Sequence, residues 1–415
     1  MNIARVQGPV LLAAALLLTP PAQAQSPFEA ARTAYNAGRY EEFLGIIRRV
    51  ERASPGNPNL LTQIARGEAR LGRSEAALAA LTSVADAGAT ADTKLPDFEP
   101  LSALPGWADL AARLEANARP AGTAEIAFRL RQGGRSAEGI AADPATGTTY
   151  LGDLAGGTLA VRTSGGQETV WPFPAELKVK STVGLRVDPE RRSLWACATT
   201  EGASAEKADD GQALVELSLA PLAVTRALPF PADGKPHFCN DIALVGGTVV
   251  VTDSDGGAVW KVAGETLAPL VAAGGLIYPN GVASAPDGRH AYVAHFGGLS
   301  RVSPADGKAE PVTAPAGATL VGIDGLVPAP GGGLLAVQNG FAPARLVRLS
   351  LSADGASVSK LEVLAAARPE FAVPTTVAVS GDAALLIANS QLDQLDKKPR
   401  PELAPTLVLR VKLGR

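Results

Sequence analysis

The chain is poor in several residue types at once, with 2 Cys, 1 Met, 3 His, 4 Trp and 5 Tyr among 415 residues. Two cysteines cannot build a disulfide framework, and a chain of this length has core enough to do without one. So few Tyr and Trp argue against a surface for stacking carbohydrate. Lys and Arg number 38 against 41 Asp and Glu, a net charge of −3, with no long basic run. That leaves no electrostatic basis for gripping a polyphosphate backbone, so nucleic acid is not an expected partner. No apolar run reaches the length that spans a bilayer. What is plentiful is Gly (44) and Pro (32), spread evenly in a chain only 19% charged. That composition predicts a mainly β protein of short strands and tight turns rather than a disordered one.

Residues 1–25 read as a processing signal: Arg5, an apolar run from Val10 to Leu18, and the small-x-small word Ala22-Gln23-Ala24. The mature protein is therefore expected to be periplasmic or secreted, without a membrane span. In such a compartment Cys197 and Cys239 could pair, but the sequence cannot supply the Cα separation that decides it.

From residue 26 to 119 apolar residues recur at helical spacing, most clearly over 40–50, 59–71, 74–85 and 107–118. Gly38, Gly72 and Gly106 fall 34 residues apart, the tetratricopeptide period. The third copy is degenerate, because three prolines between Thr93 and Pro105 stand where a first helix would be. Such repeats present a groove to a protein partner or serve as an N-terminal cap; two good copies favour the cap.

From residue 120 to 415 the period is that of strands, cut by turn words such as Asp143-Pro144-Ala145-Thr146-Gly147 and Pro286-Asp287-Gly288-Arg289. One unit recurs six times. Aligned on Asn280-Gly281-Val282-Ala283, its copies begin at Glu138, Val183, Asn240, Asn280, Asp324 and Thr375, at intervals of 45, 57, 40, 44 and 51 residues. That is the length of a four-stranded blade, so a six-bladed β-propeller is predicted, with Ala124 to Arg131 closing the ring beside Thr406 to Leu413.

Residues at one offset in every blade ring the axis. Four of the six first residues, Glu138, Asn240, Asn280 and Asp324, carry oxygen donors. Two carboxylates buried together need a cation, and their charge of −2 beside two neutral amides suits a divalent one: calcium, or magnesium or manganese completed by water. Without His or Cys in the set, zinc is disfavoured. The alternative is that Asn-Gly and Asp-Gly are simply turn words that open strands. A second ring, at the end of the following strand, holds Asp153, Cys197, Asp253, His295, Gln338 and Asn389. Asp253 and His295 are its candidates for acid–base work, with the capping of strand ends as the alternative role.

These residues resemble the gluconolactonase and senescence-marker-protein (regucalcin) family and, more broadly, the calcium-dependent propellers that include the paraoxonases. The resemblance covers about 290 residues. It implies a catalytic divalent metal at the channel mouth, held by Glu138 of Ala137-Glu138-Gly139, Asn280 of Tyr278-Pro279-Asn280-Gly281 and Asp324 of Ile323-Asp324-Gly325-Leu326, with Asn240 from the intervening blade binding metal or substrate. Cys239 and Ile323 stand where the family has prolines, and no paraoxonase-type histidine pair has matching positions. The implied function is metal-dependent hydrolysis of a small-molecule lactone or ester, with Asp324, Asp253 or His295 taking the proton from water. The other expectation is a non-enzymatic propeller that binds a ligand, its helical repeats docking a protein. The irregular stretches from Thr200 to Gln212 and Gln391 to Glu402 are expected to shape the mouth.

Overall fold

The computed structural model describes residues 26–131, 136–201, 211–395, 397–399 and 401–414. The proposed signal segment and residues 202–210 of the first irregular stretch lie outside the described residues. The chain forms two units. One contains the described residues up to Arg119 together with Ala314–Gly322 and Gly340–Pro343; the other contains Pro120–Thr313, Ile323–Asn339 and Ala344–Arg415. Among the described residues no helix is long and apolar enough to cross a membrane.

In the first unit, helices run over Pro27–Asn36, Tyr40–Glu51, Pro58–Arg70, Ser74–Asp86 and Trp107–Asn117. Ser26 and Asn57 each accept a backbone N–H at a helix start, from Glu29 and Asn59, and proline follows each of them at the first helical position. Gly38, Gly72 and Gly106 have φ of 72°, 72° and 83°, the left-handed backbone that reverses a chain between helices. The proline-rich third copy forms a 3-10 helix, Pro96–Leu101, in place of an α-helix. Apolar residues on the inward stripes, among them Leu81, Val84, Phe98, Leu101 and Leu114, make one core with Val321 and Phe341. Two buried carboxylates in this unit are neutralised locally: Glu68 by Arg48 and Arg73, and Asp97 by Arg66 at 2.7 Å, Arg70 at 3.5 Å and the Tyr35 hydroxyl.

The second unit is a six-bladed β-propeller, six antiparallel sheets of four strands with one two-residue addition. The inner strands, in chain order, are Ile140–Ala142, Val179–Asp188, Cys239–Val245, Val282–Ser284, Ile323–Pro328 and Val377–Ser380. Successive side chains of a strand enter opposite faces of its sheet. Thus in Ser193–Thr200, Leu194, Ala196 and Ala198 pack toward the first blade, while Trp195 and Cys197 pack toward the third. The core therefore lies in layers between neighbouring blades, and each fully buried Leu or Val in it contributes about 1.5–3 kcal/mol. Cys197 and Cys239 form a disulfide with a Cα separation of 5.2 Å, joining the second blade to the third.

Ring closure follows expectation with an addition. Glu125–Arg129 pairs with Leu407–Lys412, Glu125 facing Arg410 and Arg129 facing Leu407. Just before it, Ala121 and Gly122 pair with Ala366 and Ala365 on the outer edge of the fifth blade. Two residues are too few to show a strand period, so this second latch had no sequence signal.

Candidate metal centre

The six first residues form a closed ring of backbone contacts, and the glycine after most of them sets its radius. A Cβ on Gly139 would lie 1.8 Å from the Val183 carbonyl oxygen, and one on Gly184 would lie 2.1 Å from that of Asn240. On Gly281 it would lie 2.1 Å from the Asp324 oxygen, and on Gly325 2.6 Å from the Thr376 Cα. None of these four glycines has a left-handed backbone, so the requirement is close approach and not turn geometry. The remaining junctions are hydrogen-bonded. Thr375 and Thr376 donate their hydroxyls to the Glu138 carbonyl, the first at 3.1 Å, and Thr252 donates to the Asn280 carbonyl at 2.7 Å. The inner strands carry register irregularities at Thr182/Leu185, Cys239/Ile242 and Ile323/Leu326, which turn side chains at the ring out of the regular pleat.

Glu138, Asn240 and Asp324 are buried, at 7%, 5% and 7% exposure, and Asn280 is half-buried. Burial, then the charges of Asp324 and Asp241, push the Glu138 carboxyl well above the usual range. Asp324 is raised to about 7, mainly by burial, against the opposing hydrogen bonds from the Asn339 and Asn280 side chains. Asn339 donates Nδ2 to Asp324 Oδ2 and also to the Pro374 carbonyl at 2.8 Å, which fixes the orientation of the carboxylate. Asn240 donates Nδ2 to Ser254 Oγ at 2.8 Å, and that hydroxyl donates to the Pro279 carbonyl at 2.6 Å. The amide nitrogen is thereby anchored to the protein, and the oxygen is the end available to a cation. Among the described residues no group of three or more His, Cys, Asp or Glu side chains is placed to hold a metal. The ring is a two-carboxylate, two-amide set, and its chemistry fits a hard divalent cation.

Three ionisable residues at the axis were not read from the sequence. Asp241 occupies the place that glycine holds in four of the other copies, and that exchange was the available signal. Its carboxylate accepts from the backbone N–H of Ile242 at 2.8 Å and of Val282 at 3.0 Å, so it ties the third blade to the fourth. Arg186 lies on the second inner strand and donates Nε to the Ile242 carbonyl at 2.9 Å. Tyr278 has φ 51°, a left-handed backbone that is strained for an aromatic residue. Burial, then the charges of Asp255, Glu138 and Asp324, push its phenol up, so it remains a protonated donor.

The second ring is a set of hairpin locks. Both Asp253 oxygens are taken: Oδ1 accepts from the N–H groups of Phe238 and Gly256 at 2.9 and 3.0 Å, and Oδ2 from Trp260 Nε1 at 3.1 Å and His237 Nδ1 at 2.6 Å. His295 accepts the Gly297 N–H at Nδ1 (3.1 Å) and pairs Nε2 with Ser300 Oγ (2.9 Å), while burial lowers its pKa to about 4. It is a neutral ring engaged within its own hairpin. Asp153, Gln338 and Asn389 accept from the following strand or turn in the same way. The structure thus brings Glu138, Asn240, Asn280 and Asp324 into one ring and directs Asp253 and His295 into their own blade.

His237 bridges two carboxylates, Asp253 Oδ2 at 2.6 Å and Asp233 Oδ1 at 3.1 Å, between the rings of Phe230 and Trp260. Carboxylates only accept, so both contacts are hydrogen bonds only in the imidazolium. Burial opposes that charge, but Asp253 and Asp233 outweigh it and raise the pKa; Lys235 beside Asp233 and the nearby Asp255 are the other charged groups. A raised folded-state pKa gives stability that is complete below the unfolded value of about 6.5 and lost as pH rises through the folded value. The thermal midpoint of the wild type should therefore exceed that of His237→Gln most at pH 6, the gap narrowing on the alkaline side. A gap independent of pH in parallel melting curves would refute this.

An open depression of about 570 Å³ in the helical unit is lined by residues including Asp86, Arg113, Asn117 and Gly317. It gathers an exposed ion pair between Asp86 and Arg113 and no convergent catalytic groups.

No family model matches the chain, and no curated protein does. Among solved structures, a PQQ-bound aldose sugar dehydrogenase from Streptomyces coelicolor is 15% identical, over 71% of this chain and all (100%) of that one, with a TM-score of 0.48. A calcium-binding regucalcin from Agrobacterium tumefaciens is 21% identical over 71% and 97%, with a TM-score of 0.48. A virginiamycin B lyase from Staphylococcus aureus is 11% identical over 70% and 99%, with a TM-score of 0.45.

Proposed function

We propose that the protein is an exported, divalent-metal-dependent hydrolase of lactones or esters. The observation that carries the reading is the buried Glu138–Asp324 pair, pushed up in pKa and set among amide oxygens on a closed ring. Such a pair is costly as two bare carboxylates and is relieved by one divalent cation. Glu138, Asn240, Asn280 and Asp324 would hold it; when bound, the ion polarises a carbonyl and supports the charge that grows on its oxygen. The Tyr278 phenol, kept protonated beside Glu138 and Asp324, would be the donor to an oxygen of a substrate bound there. Asn339 keeps the Asp324 carboxylate oriented, which suits it to take a proton from water. Asp253 and His295, named with it as proton acceptors from the sequence, already spend their acceptor atoms on their own hairpins. The Cys197–Cys239 disulfide supports an oxidising, extracytoplasmic compartment.

The test is metal analysis of the purified protein, coupled to a screen of sugar lactones, acyl lactones and aryl esters before and after chelation. One equivalent of metal with turnover that chelation removes and added calcium restores is the expected result. Metal without turnover would favour a ligand-binding propeller, and no metal would refute the centre itself.

A further inference from the structure

The axial channel contains more charge than the metal-holding set explains. Asp241 is a third buried carboxylate, 7% exposed, whose field reaches both Glu138 and Asp324. Its oxygens rest on two neutral N–H groups, which orient the charge without cancelling it. The inner strands of the second and third blades touch at this point: a Cβ on Gly184 would lie 2.1 Å from the Asn240 oxygen and 2.8 Å from the Asp241 Cα. Two residues further along the second strand, Arg186 sends its guanidinium across to the third, where Nε meets the carbonyl of Ile242 at 2.9 Å. Ile242 is the residue whose N–H the Asp241 carboxylate accepts, so a cation and an anion flank one residue, each on one of its two peptide groups. Burial works against the Arg186 charge, and Asp241 is the group that supports it. Three carboxylates and one guanidinium leave a net charge of −2, the complement of a single divalent ion.

We propose that Arg186 is a resident counter-charge of the channel, neutralising Asp241 so that the centre takes up one divalent cation and no second one. This rests on the metal-centre reading above and adds to it a role for a residue outside the donor set. The guanidinium is held by the chain and costs no association entropy. Without it Asp241 would be a buried anion with hydrogen-bond donors but no counter-charge, a state that recruits an ion from solution.

The experiment is isothermal titration of the chelator-stripped protein with calcium chloride, with terbium luminescence as a second readout. It compares wild type, Arg186→Met, Arg186→Lys, Asp241→Asn and the Arg186→Met/Asp241→Asn double variant. Wild type and Arg186→Lys should bind one equivalent. Arg186→Met should bind two, the second more weakly. Asp241→Asn leaves the guanidinium unopposed and should weaken the single site by about tenfold or more. The double variant, with both charges gone, should return to one equivalent at close to wild-type affinity, and it keeps the test decisive if Arg186→Met alone fails to fold. One equivalent at unchanged affinity in both Arg186→Met and Asp241→Asn overturns the proposal and leaves the metal centre standing. A wild type that takes up no cation overturns both.

Discussion

Asp324→Ala should yield a folded protein that retains no divalent ion and turns over no lactone. Removing one of two carboxylates halves the anionic charge that holds the ion. Loss of a neighbour that merely orients a ligand already costs about 10–100-fold in metal affinity, so loss of the ligand itself should cost more. The variant also carries a signature that a general folding defect would not produce. In the metal-free protein the Asp324 carboxyl titrates at about 7, far above its unfolded value. Its contribution to stability is therefore complete only below about pH 4 and drains away as pH rises toward 7, because the unfolded chain releases the proton first. Chelated Asp324→Ala should accordingly melt above chelated wild type at pH 8, and the order should approach equality in acid. With calcium present at pH 8 the ranking should invert, since only the wild type is stabilised by a bound ion. Melting curves in calcium and in chelator at two pH values check this, and a variant that still binds one equivalent of calcium would remove Asp324 from the centre.

Gly139→Ala should be among the most damaging single methyl groups in the described propeller. Its Cβ would sit 1.8 Å from the carbonyl oxygen of Val183 and 2.8 Å from the carbonyl carbon, both backbone atoms that no rotamer change can move. Relief requires the inner strands of the first and second blades to part at the axis. That parting also disturbs the carbonyl of Glu138, on which the Thr375 and Thr376 hydroxyls converge. Ordinary overpacking costs about 1–3 kcal/mol, and this clash should reach or exceed the upper end. Gly38→Ala is the matched control, with φ 72° and open space around its Cβ position, and should cost only about 1 kcal/mol through backbone strain. Equal midpoints for Gly139→Ala and wild type in urea or heat would refute the close-packed ring.

The sequence disclosed the propeller because a blade repeats its backbone demands along with its hydrophobic period. The glycines after Glu138, Val183, Asn280 and Asp324 recur because each inner strand must nearly touch the next, and that steric rule survives where the side chain ahead of it changes. The same rule explains Val183, which has no donor to offer yet completes the ring through its carbonyl. Charge partnerships were not legible. Arg186 meets the third blade 56 residues away in the chain, and Asn339 reaches Asp324 across a hairpin; neither spacing carries a period. The second ring shows the opposite limit. Alignment puts Asp253 and His295 at one offset, but the direction a side chain takes from a strand end depends on the turn that follows, and here those turns supply N–H donors that hold both residues inside their blades. The cysteine pair stood between, plausible by compartment and decided only by the 5.2 Å between its Cα atoms.

The double latch at the start of the propeller has a mechanical consequence. Tension on the chain ahead of Pro120 would meet the two residue pairs at Ala121 and Gly122 first, and only after they peel would it load the four pairs between Glu125–Arg129 and Leu407–Lys412. Under such load the two-residue pairing on the fifth blade is the first link and the four-pair seam in the sixth blade the second.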